Sequence, residues 1–309
     1  MSDGETTPGG VPVAAARPPR VTPEPGRQRR LRPLPLLFAA ISRVAPSAKP
    51  RVQKRLIRLG YQLVSARSSG ADATFLNYGY APRNSPRLDM QNDSIDDADR
   101  YGAQLYYHVA SAADFRDKDV LEIGSGRGGG TAFVMRHFHP RTTTGVDFAD
   151  KAISFCKEHY KRAGLSFVRG DAESLPFPPG SFDVVINVES SHCYPSVPAF
   201  LSEVWRVLRP AGYLLLADLR LKSDVDVLRD QIRQAGFTIL DDEDITDSVA
   251  HALELDSERR HALIRKRIPA LLRDASSEFL AVKGSRVYEH LSHGQLEYVC
   301  FRVQKESRL

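Results

Sequence analysis

Short, continuously apolar runs alternate with amphipathic segments through the middle of the chain, from residue 120 to residue 240. The amphipathic segments carry apolar positions at helical spacing, and the apolar runs between them have the length of strands. This alternation predicts an α/β fold in which parallel strands are covered by helices on both faces. In chain order, the predicted elements are strand 120–123, helix 131–138, strand 143–146, helix 150–163, strand 166–168, strand 182–187, helix 197–208, strand 213–218, helix 223–235 and strand 237–240.

The pattern changes on either side of this core. Residues 242–273 have helical periodicity late in the sheet, where we expect a lid insert that roofs the substrate side. Two apolar runs, 287–291 and 295–303, are separated by Ser-His-Gly, which predicts a hairpin or a terminal strand pair. Ahead of the core, a helix is predicted over 96–113, and an aromatic turn, 75–80, precedes it.

The first 67 residues differ from the rest of the chain. Residues 1–33 are rich in Pro, Gly, Ala and Arg, which predicts a disordered basic tail because little apolar surface is available to offset the entropy of ordering. Residues 34–67 have amphipathic helical patterns, with Leu56, Leu59 and Leu63 on one apolar stripe. Such a stripe needs a partner, either the chain's own main domain, 68–309, or another subunit. We predict a homo-oligomer formed through these helices.

Charge is distributed unevenly along the chain. The formal net charge is +5, yet residues 1–67 hold 13 Lys and Arg against three Asp and Glu. This basic end raises the alternative of a nucleic-acid substrate, since phosphate contacts use such charge. The fourth strand ends in Asn187-Val-Glu-Ser190, however, and lacks the Asn/Asp-Pro-Pro-aromatic turn that clamps a base. We therefore expect no nucleic-acid partner.

The composition is that of an ordinary globular protein, 42% hydrophobic and 26% charged. No apolar run approaches the roughly 20 residues of a membrane helix, so we expect no stable membrane insertion. Cys156, Cys193 and Cys300 are odd in number and far apart, which matches neither a disulfide framework nor a metal site. Reduced thiols in the cytoplasm are the simplest interpretation.

A glycine-rich stretch follows the first strand of the core. Gly124, Gly126 and Gly128 permit a tight turn between strand and helix, and they permit a ligand to approach the main chain closely. The spacing is G-x-G-x-G, with Glu122 just before the first glycine and Ser125 inside the turn. This pattern predicts a nucleotide-binding corner.

Three later segments agree with this corner. Asp147 ends the second strand, where an acidic side chain can accept hydrogen bonds from both hydroxyls of a ribose. Asp171 follows the third strand and is placed to accept from an adenine amino group, with Phe148 or Leu175 packed on the ring. The fourth strand ends at Asn187, and we expect this end to lie at the same site.

Residues 119–219 resemble the class I S-adenosylmethionine-dependent methyltransferases throughout. Residues 74–303 resemble the actinobacterial branch that contains phthiotriol dimycocerosate methyltransferases and indole-alkaloid tailoring enzymes of the teleocidin type. The segments that carry this resemblance are 75–80, 104–106, 187–195 and 284–288. It implies a Rossmann-like sheet, S-adenosyl-L-methionine as the cofactor, and a segment before the core that folds over the cofactor. The residues expected to bind the cofactor are Glu122, Gly124, Ser125, Gly126, Gly128, Asp147, Phe148, Asp171, Ala172, Asn187, Gln104 and Tyr78.

The catalytic candidates follow the fourth strand, where the methyl group of a bound sulfonium would point. His192 can take a proton from a substrate hydroxyl, because an imidazole with a pKa of about 6.5 is mostly neutral at cytoplasmic pH; a purely structural role is the alternative. Methylation of an alkene instead needs aromatic or carboxylate surroundings for a carbocation, which Tyr80, Tyr194 and Glu189 can supply. No Asp, Glu and His cluster has metal-ligand spacing, so we expect no metal.

These observations predict an S-adenosylmethionine-dependent methyltransferase that tailors an apolar small molecule. The resemblance favours C-methylation of a prenyl or terpenoid alkene, as in teleocidin-type indole alkaloids, with or without cyclisation driven by the carbocation. O-methylation of a lipid or polyketide hydroxyl is the alternative. A nucleic-acid methyltransferase and a module that only binds the cofactor are more remote alternatives.

Overall fold

The computed structural model describes residues 74–306 with short gaps. The gaps are residues 91–94, 96, 269 and 271–272. The predicted tail, 1–33, and the predicted oligomerisation helices, 34–67, lie outside the described residues. The elements in chain order are α1 (Arg100–Ala110), β1 (Asp119–Ile123), α2 (Gly129–His137), β2 (Thr142–Asp147), α3 (Asp150–His159), β3 (Leu165–Arg169), β4 (Phe182–Val188), α4 (Val197–Val207), β5 (Leu208–Leu221), α5 (Val225–Gln234), β6 (Phe237–Asp244), α6 (Thr246–Leu255), α7 (Ser257–Arg267), α8 (Arg273–Phe279), α9 (Arg286–Ser292) and β7 (Leu296–Lys305).

Seven strands form one mixed sheet in the order β3-β2-β1-β4-β5-β7-β6. Strands β1 to β5 run parallel to one another, whereas β7 lies between β5 and β6 and is antiparallel to both. The parallel part confirms the fold class predicted from the alternating pattern. It also brings the carboxyl ends of β1, β2 and β4 to one edge of the sheet, where ligands bind in open α/β sheets.

The segment predicted as the first strand of a terminal pair is a helix. It forms α9, which Ser285 caps by accepting a hydrogen bond from the Tyr288 N–H at 3.2 Å. Val287 and Leu291 are buried on one face of this helix. Apolar residues four positions apart fit a helix as well as a strand, and the hairpin prediction was therefore wrong. Strand β7 pairs with β5 and β6 instead.

Alternating residues of each central strand face two separate hydrophobic cores. In β4, Val184 and Ile186 pack with α1, α2, α6 and α9, whereas Val185 packs with α4 and α5. In β5, Leu215 and Leu216 face opposite sides in the same way. Helices therefore cover both faces of the sheet, as predicted, and polar side chains are left to gather at the strand ends.

The helices after β6 occupy a different range from the predicted insert. Strand β6 continues to Asp244, and the helices run from Thr246 through α9 to Ser292 rather than over 242–273. Asp244 marks the boundary because its carboxylate accepts a hydrogen bond from the Thr246 N–H at 2.9 Å. Among the helices of the described residues, none has the length and apolar character needed to cross a bilayer.

Candidate active site

The glycine-rich turn lies between the ends of β1, β2 and β4. Gly124, Gly126 and Gly128 have φ values of 78°, 52° and 78°, a region that disfavours residues with a Cβ. The Gly124 N–H donates to the Val146 carbonyl of β2 at 2.8 Å. A Cβ on Gly124 would lie 2.0 Å from Oγ of Ser190, just after β4. Neighbours on both sides thus fix the turn, and no side chain fits at its first glycine.

The two glycines after the turn have a role that the sequence did not indicate. A Cβ on Gly130 would lie 2.0 Å from the ring of Tyr106 in α1. A Cβ on Gly129 would lie 2.6 Å from the carbonyl oxygen of Thr74. Both glycines therefore allow α1 and the segment before it to lie directly on α2, which brings that segment to the site.

Two clefts meet at Gly124. We call the larger one, with an empty volume of about 690 Å³, the Asp147 cleft. We call the smaller one, with about 390 Å³, the Glu189 cleft. The Asp147 cleft is lined by Ile123, Gly124, Val146, Asp147, Phe148, Gly170, Asp171, Ala172, Glu173, Ser190, Cys193, Tyr194 and Pro195. The Glu189 cleft is lined by Thr74, Phe75, Leu76, Asn77, Tyr106, Gly124, Ser125, Gly126, Arg127, Gly130, Val188 and Glu189.

Asp147 is bound to the main chain through both carboxylate oxygens. Its Oδ2 accepts from the Gly126 N–H at 2.9 Å, and its Oδ1 accepts from the Ala149 N–H at 2.8 Å. The side chain is buried, and this burial raises the pKa of Asp147 above its ordinary value. Each carboxylate oxygen can accept a further hydrogen bond. Asp147 is therefore rigidly placed and still able to accept from a ligand in its cleft.

Asp171, Ala172 and Phe148 line the same cleft from two loops. Oδ1 of Asp171 accepts from the Glu173 N–H at 3.0 Å and so closes a turn after β3. The arrangement surrounds a ligand-sized cleft with two aromatic residues, Phe148 and Tyr194, and with acidic side chains. Within the described residues, no group of three or more His, Cys, Asp and Glu side chains is arranged to hold a metal ion.

Glu122 lies behind the turn and lines neither cleft. It is 1% exposed, and its carboxylate accepts hydrogen bonds from the Tyr106 hydroxyl at 2.5 Å and from the Thr131 hydroxyl. Burial raises the pKa of Glu122 to about 7. The carboxyl group thus joins β1 to α1 and α2 behind the glycine-rich turn, and its predicted role in cofactor binding stays a prediction.

Three buried polar atoms near the clefts have no hydrogen-bond partner among the described residues: Asn77 Oδ1, Ser125 Oγ and Asn187 Oδ1. The amide nitrogen of Asn187 donates to the Ile123 carbonyl at 2.8 Å and to the Tyr194 hydroxyl at 3.0 Å, which fixes the orientation of the amide. Buried polar atoms are costly when unpaired. These three atoms therefore indicate a polar ligand between β1, β4 and the segment before α1.

Glu189 follows β4 directly in a left-handed conformation, with φ of 47°. Its Oε1 accepts hydrogen bonds from the Tyr78 N–H at 2.7 Å and from the Tyr298 hydroxyl at 2.9 Å. Burial raises the pKa of Glu189 to about 7. Tyr298 lies on β7, far along the chain, and no sequence signal pointed to it. The two donors fix the Glu189 carboxyl group at the wall of its cleft.

His192 lies in the short helical turn Ser191–Cys193 after β4. Its Nδ1 is 2.6 Å from Oδ1 of Asp218, and its main-chain N–H donates to Oδ2 at 2.9 Å. Asp218 lies on β5, is fully buried, and also binds the Ser191 hydroxyl at 2.6 Å and an Arg220 guanidinium nitrogen at 3.0 Å. Asp218 was not predicted, although the end of a parallel strand is where such a residue could have been sought.

The imidazole of His192 lines neither cleft, but residues close to it in the chain line both. Glu189 and Cys193, on either side of it in the chain, line the Glu189 cleft and the Asp147 cleft respectively. Desolvation opposes the charged imidazole, but interactions with Cys193 and with the buried Asp218 carboxylate outweigh it and raise the pKa of His192 above its ordinary value. No nitrogen or oxygen atom of the described residues hydrogen-bonds to its Nε2. The side chain is 31% exposed, and Cys193 also interacts with the ring.

Tyr194 and Tyr80, both predicted near the reacting groups, lie in different places. Tyr194 lines the Asp147 cleft, and its hydroxyl is 2.6 Å from Oγ of Ser190. The ring of Tyr80 belongs to the hydrophobic core and stacks on His108, with 4.2 Å between ring centroids. Tyr80 lines neither cleft, because the chain turns it away from the strand ends and towards α1.

Gln104 and Tyr78 are predicted to bind the cofactor, and in the structure the hydrogen bonds of both involve main-chain groups. The fully buried Gln104 amide accepts from the Leu88 N–H at 3.0 Å and donates to the carbonyls of Tyr80 at 2.6 Å and Pro86 at 3.0 Å. It thus holds the segment before α1 and lines neither cleft. Tyr78 is buried as well, and its main-chain N–H, not its hydroxyl, binds Glu189.

Residues 121–216 match the family described as methyltransferase domain. The chain is 38% identical over 267 residues to the fatty-acid O-methyltransferase of Mycolicibacterium smegmatis, covering 86% of this chain and 96% of that protein. It is 36% identical over 265 residues to the phthiotriol/phenolphthiotriol dimycocerosates methyltransferase of Mycobacterium tuberculosis, covering 86% of this chain and 97% of that protein.

Solved structures agree on the fold. The cyclase SpnF superposes with a TM-score of 0.60 at 21% identity, covering 84% of this chain and 96% of that chain. The likeness at this identity concerns the fold alone. The family follows from the identity to the two mycobacterial enzymes over nearly their whole length. The chain belongs to the S-adenosylmethionine-dependent methyltransferases, has their Rossmann-like class I fold, and uses S-adenosylmethionine as its cofactor.

Proposed function

We propose that this enzyme methylates an oxygen atom of a lipid-like acceptor and that His192 is the base. The observation that carries the proposal is the contact between His192 Nδ1 and the buried Asp218 carboxylate, in the turn after β4 whose neighbouring residues Glu189 and Cys193 line the two clefts. The names of the two relatives support a lipid-like acceptor, since one acts on fatty acids and the other on phthiotriol dimycocerosates.

The cofactor is proposed to occupy both clefts, with its adenosine in the Asp147 cleft and its methionine part in the Glu189 cleft. Asp147 and Asp171 would accept hydrogen bonds from the nucleoside, and the Phe148 ring would pack on it. The unpaired atoms of Asn77 and Ser125 fit the polar end of the amino acid. When bound, the cofactor supplies an electrophilic methyl group with a good leaving group, so alignment of the acceptor is the main task left to the protein.

His192 and Asp218 act together in this proposal. With a proton on Nδ1 donated to Asp218, the Nε2 lone pair can accept the proton of a substrate hydroxyl. The acceptor oxygen then gains the methyl group and gives its proton to Nε2, and the resulting imidazolium is stabilised by the Asp218 carboxylate. A carboxylic acid acceptor is already ionised at neutral pH and needs no base, so the role of His192 depends on which oxygen is methylated.

C-methylation of a prenyl or terpenoid alkene is the second candidate. Its support is Glu189, whose carboxyl group lines the cleft and whose Oε1 is held by Tyr298. A carbocation formed there would lack the ring of Tyr80, which is in the hydrophobic core. The hydroxyl of Tyr194 is bound to Ser190 and Asn187. Fewer of the expected stabilising groups face the cleft, and we therefore place this reaction second.

The position of a labelled methyl group distinguishes these reactions. The full chain is incubated with methyl-labelled S-adenosylmethionine and, separately, a long-chain secondary alcohol, a long-chain fatty acid and a prenylated indole. We expect an ether or an ester, identified by the NMR shift of the labelled carbon. Label found only on carbon of the prenyl chain would overturn O-methylation and establish the second candidate.

A further inference from the structure

Arg260, in helix α7 between β6 and β7 in the chain, reaches the segment that lines the Glu189 cleft. The residue is 6% exposed, and its Nη2 donates to the main-chain carbonyls of Asn77 and Tyr78, each at 3.2 Å. Its Nη1 donates to the Leu280 carbonyl at 3.0 Å, and its Nε binds Asp256 Oδ2 at 2.8 Å. One side chain therefore joins α7, the start of the loop after α8, and the wall of the cleft.

The contacted segment has no regular secondary structure of its own. Thr74 to Asn77 line the Glu189 cleft, and the next residue, Tyr78, donates its N–H to Glu189. The main chain of Tyr78 is thus bound on both sides, by Glu189 at its N–H and by Arg260 at its carbonyl. Because a segment without a strand or helix depends on such contacts for its position, a change at Arg260 is transmitted directly to the cleft.

The energetic cost of burying Arg260 is offset by hydrogen bonds from four of its five N–H groups. A buried guanidinium is stable only when its charge is paired and its N–H groups are used. Asp256, itself 6% exposed, supplies the opposite charge, and three main-chain carbonyls accept hydrogen bonds from Nη1 and Nη2. Any movement of α7 away from the segment leaves buried charge and buried carbonyls unpaired. The two parts are therefore expected to move together or not at all.

We propose that Arg260 is a positioning residue that couples the helices after β6 to the cofactor site, so that filling the Glu189 cleft orders α6 and α7. Coupling between two parts of a protein is reciprocal, and loss of contact at α7 weakens cofactor binding by the same factor. The inference rests on the proposed placement of the cofactor in the Glu189 cleft. It does not depend on whether oxygen or carbon is methylated.

Arg259 provides a matched control on the same helix. Its guanidinium binds the same carboxylate, with Asp256 oxygens at 2.5 Å and 2.6 Å, but the side chain is 38% exposed and makes no hydrogen bond to the segment before α1 among the described residues. Arg259→Lys therefore disturbs the ion pair at Asp256 without removing the contact to Asn77 and Tyr78. Arg260→Lys keeps a positive charge at the buried position but removes the two-carbonyl contact.

The test is hydrogen exchange followed by mass spectrometry on the full chain, with S-adenosylhomocysteine as the probe. In the wild type, the probe is expected to slow exchange over 74–80 and also over 246–267, by about 5-fold or more. Arg260→Lys is expected to lose the second effect and to raise the Kd of the probe by about 5-fold or more, whereas Arg259→Lys changes that Kd less than about 2-fold.

Two outcomes would overturn the coupling. One is a wild-type experiment in which S-adenosylhomocysteine slows exchange over 74–80 but not over 246–267. That result would contradict the coupling and would still agree with the proposed cofactor site. The other is an equal effect of the two substitutions on the Kd of S-adenosylhomocysteine. If the probe protects neither 74–80 nor 246–267, the placement of the cofactor in the Glu189 cleft is wrong as well. The position of the methyl label tests the reaction separately from all of these.

Discussion

Nδ1 of His192 lies 2.6 Å from a carboxylate oxygen of Asp218, which is fully buried at the end of β5. Burial alone would raise the pKa of Asp218, but the neighbouring His192 and Arg220 outweigh it and hold that pKa well below its usual range. Asp218 is therefore a permanent carboxylate that accepts from the imidazole. This relationship fixes the tautomer of His192 and the direction of its Nε2.

Replacing Asp218 by Asn tests the tautomer. The amide can present an N–H to Nδ1, which moves the imidazole proton to Nε2 and removes the base. We expect kcat for a hydroxyl acceptor to fall by about 10² to 10⁴, while the Kd of S-adenosylhomocysteine by calorimetry stays within about 2-fold, since Asp218 lines neither proposed cofactor cleft. Ser191→Ala is the control, because it removes one hydrogen bond to Asp218 and keeps the His192 contact. Equal losses in the two variants would contradict a base role.

The pH dependence of the reaction is the second prediction. The pKa of His192 is raised above its ordinary value, so the imidazole stays protonated, and unable to accept a proton, to a higher pH. For a hydroxyl acceptor, kcat/KM is therefore expected to rise with pH to a plateau, with a midpoint above about 6.5. His192→Gln abolishes this rise, whereas His293→Gln, at a residue that is 69% exposed, leaves it unchanged. A pH profile in which both variants keep the rise would assign the titration to another group.

The residues of the Asp147 cleft could be grouped from the sequence because their signals are local. The turn at Gly124 and the acid at Asp147 follow from the order of strand, glycines and helix, and the parallel sheet brings them together without further information. Asp171 follows by the same rule at the end of β3. The structure places all three at the Asp147 cleft.

The contacts of the Glu189 cleft could not be predicted because they join distant parts of the chain. Glu189 is held by Tyr78 and Tyr298, which lie 111 and 109 residues away from it. Nothing in the local sequence shows that β7 enters the sheet antiparallel beside β5. Residue type alone does not distinguish a binding residue from a structural one. Tyr80 packs in the hydrophobic core, and Gln104 makes hydrogen bonds with main-chain groups.

The buried carboxyl group of Glu122 gives a prediction for stability. Its pKa is raised from 4.5 to about 7, so the folded state binds this proton more tightly than the unfolded state. Stability from this group is therefore full below about pH 4.5 and is lost as the pH rises through about 7, by at most about 3 kcal/mol. Glu122→Gln cannot ionise, and its free energy of unfolding relative to the wild type is expected to increase from pH 5 to pH 8.

Urea unfolding at several pH values measures this difference. Glu203→Gln is the matched control, because hydrogen bonds from Arg206 lower the pKa of Glu203, and both states of that group are ionised above about pH 5. Its difference from the wild type is expected to stay constant between pH 5 and pH 8. A constant difference for Glu122→Gln as well would show that Glu122 is ionised in the folded protein across this range.

Alanine substitutions at Gly124 and Gly180 distinguish the cost of a left-handed backbone from the cost of a steric clash. Gly124 and Gly180 have similar positive φ values, 78° and 64°, but a Cβ on Gly124 would lie 2.0 Å from Ser190 Oγ, whereas a Cβ on Gly180 would meet nothing within 4 Å. Gly180→Ala is expected to lower the free energy of unfolding by about 1 to 2 kcal/mol, the cost of the left-handed conformation alone, and to leave the Kd of S-adenosylhomocysteine unchanged.

Gly124→Ala is expected to lose more stability in urea unfolding and to raise that Kd by about 10-fold or more, because relief of the clash moves the turn between the two clefts. Equal losses of stability with an unchanged Kd for both variants would show that Ser190 moves aside and that the turn does not contact the cofactor.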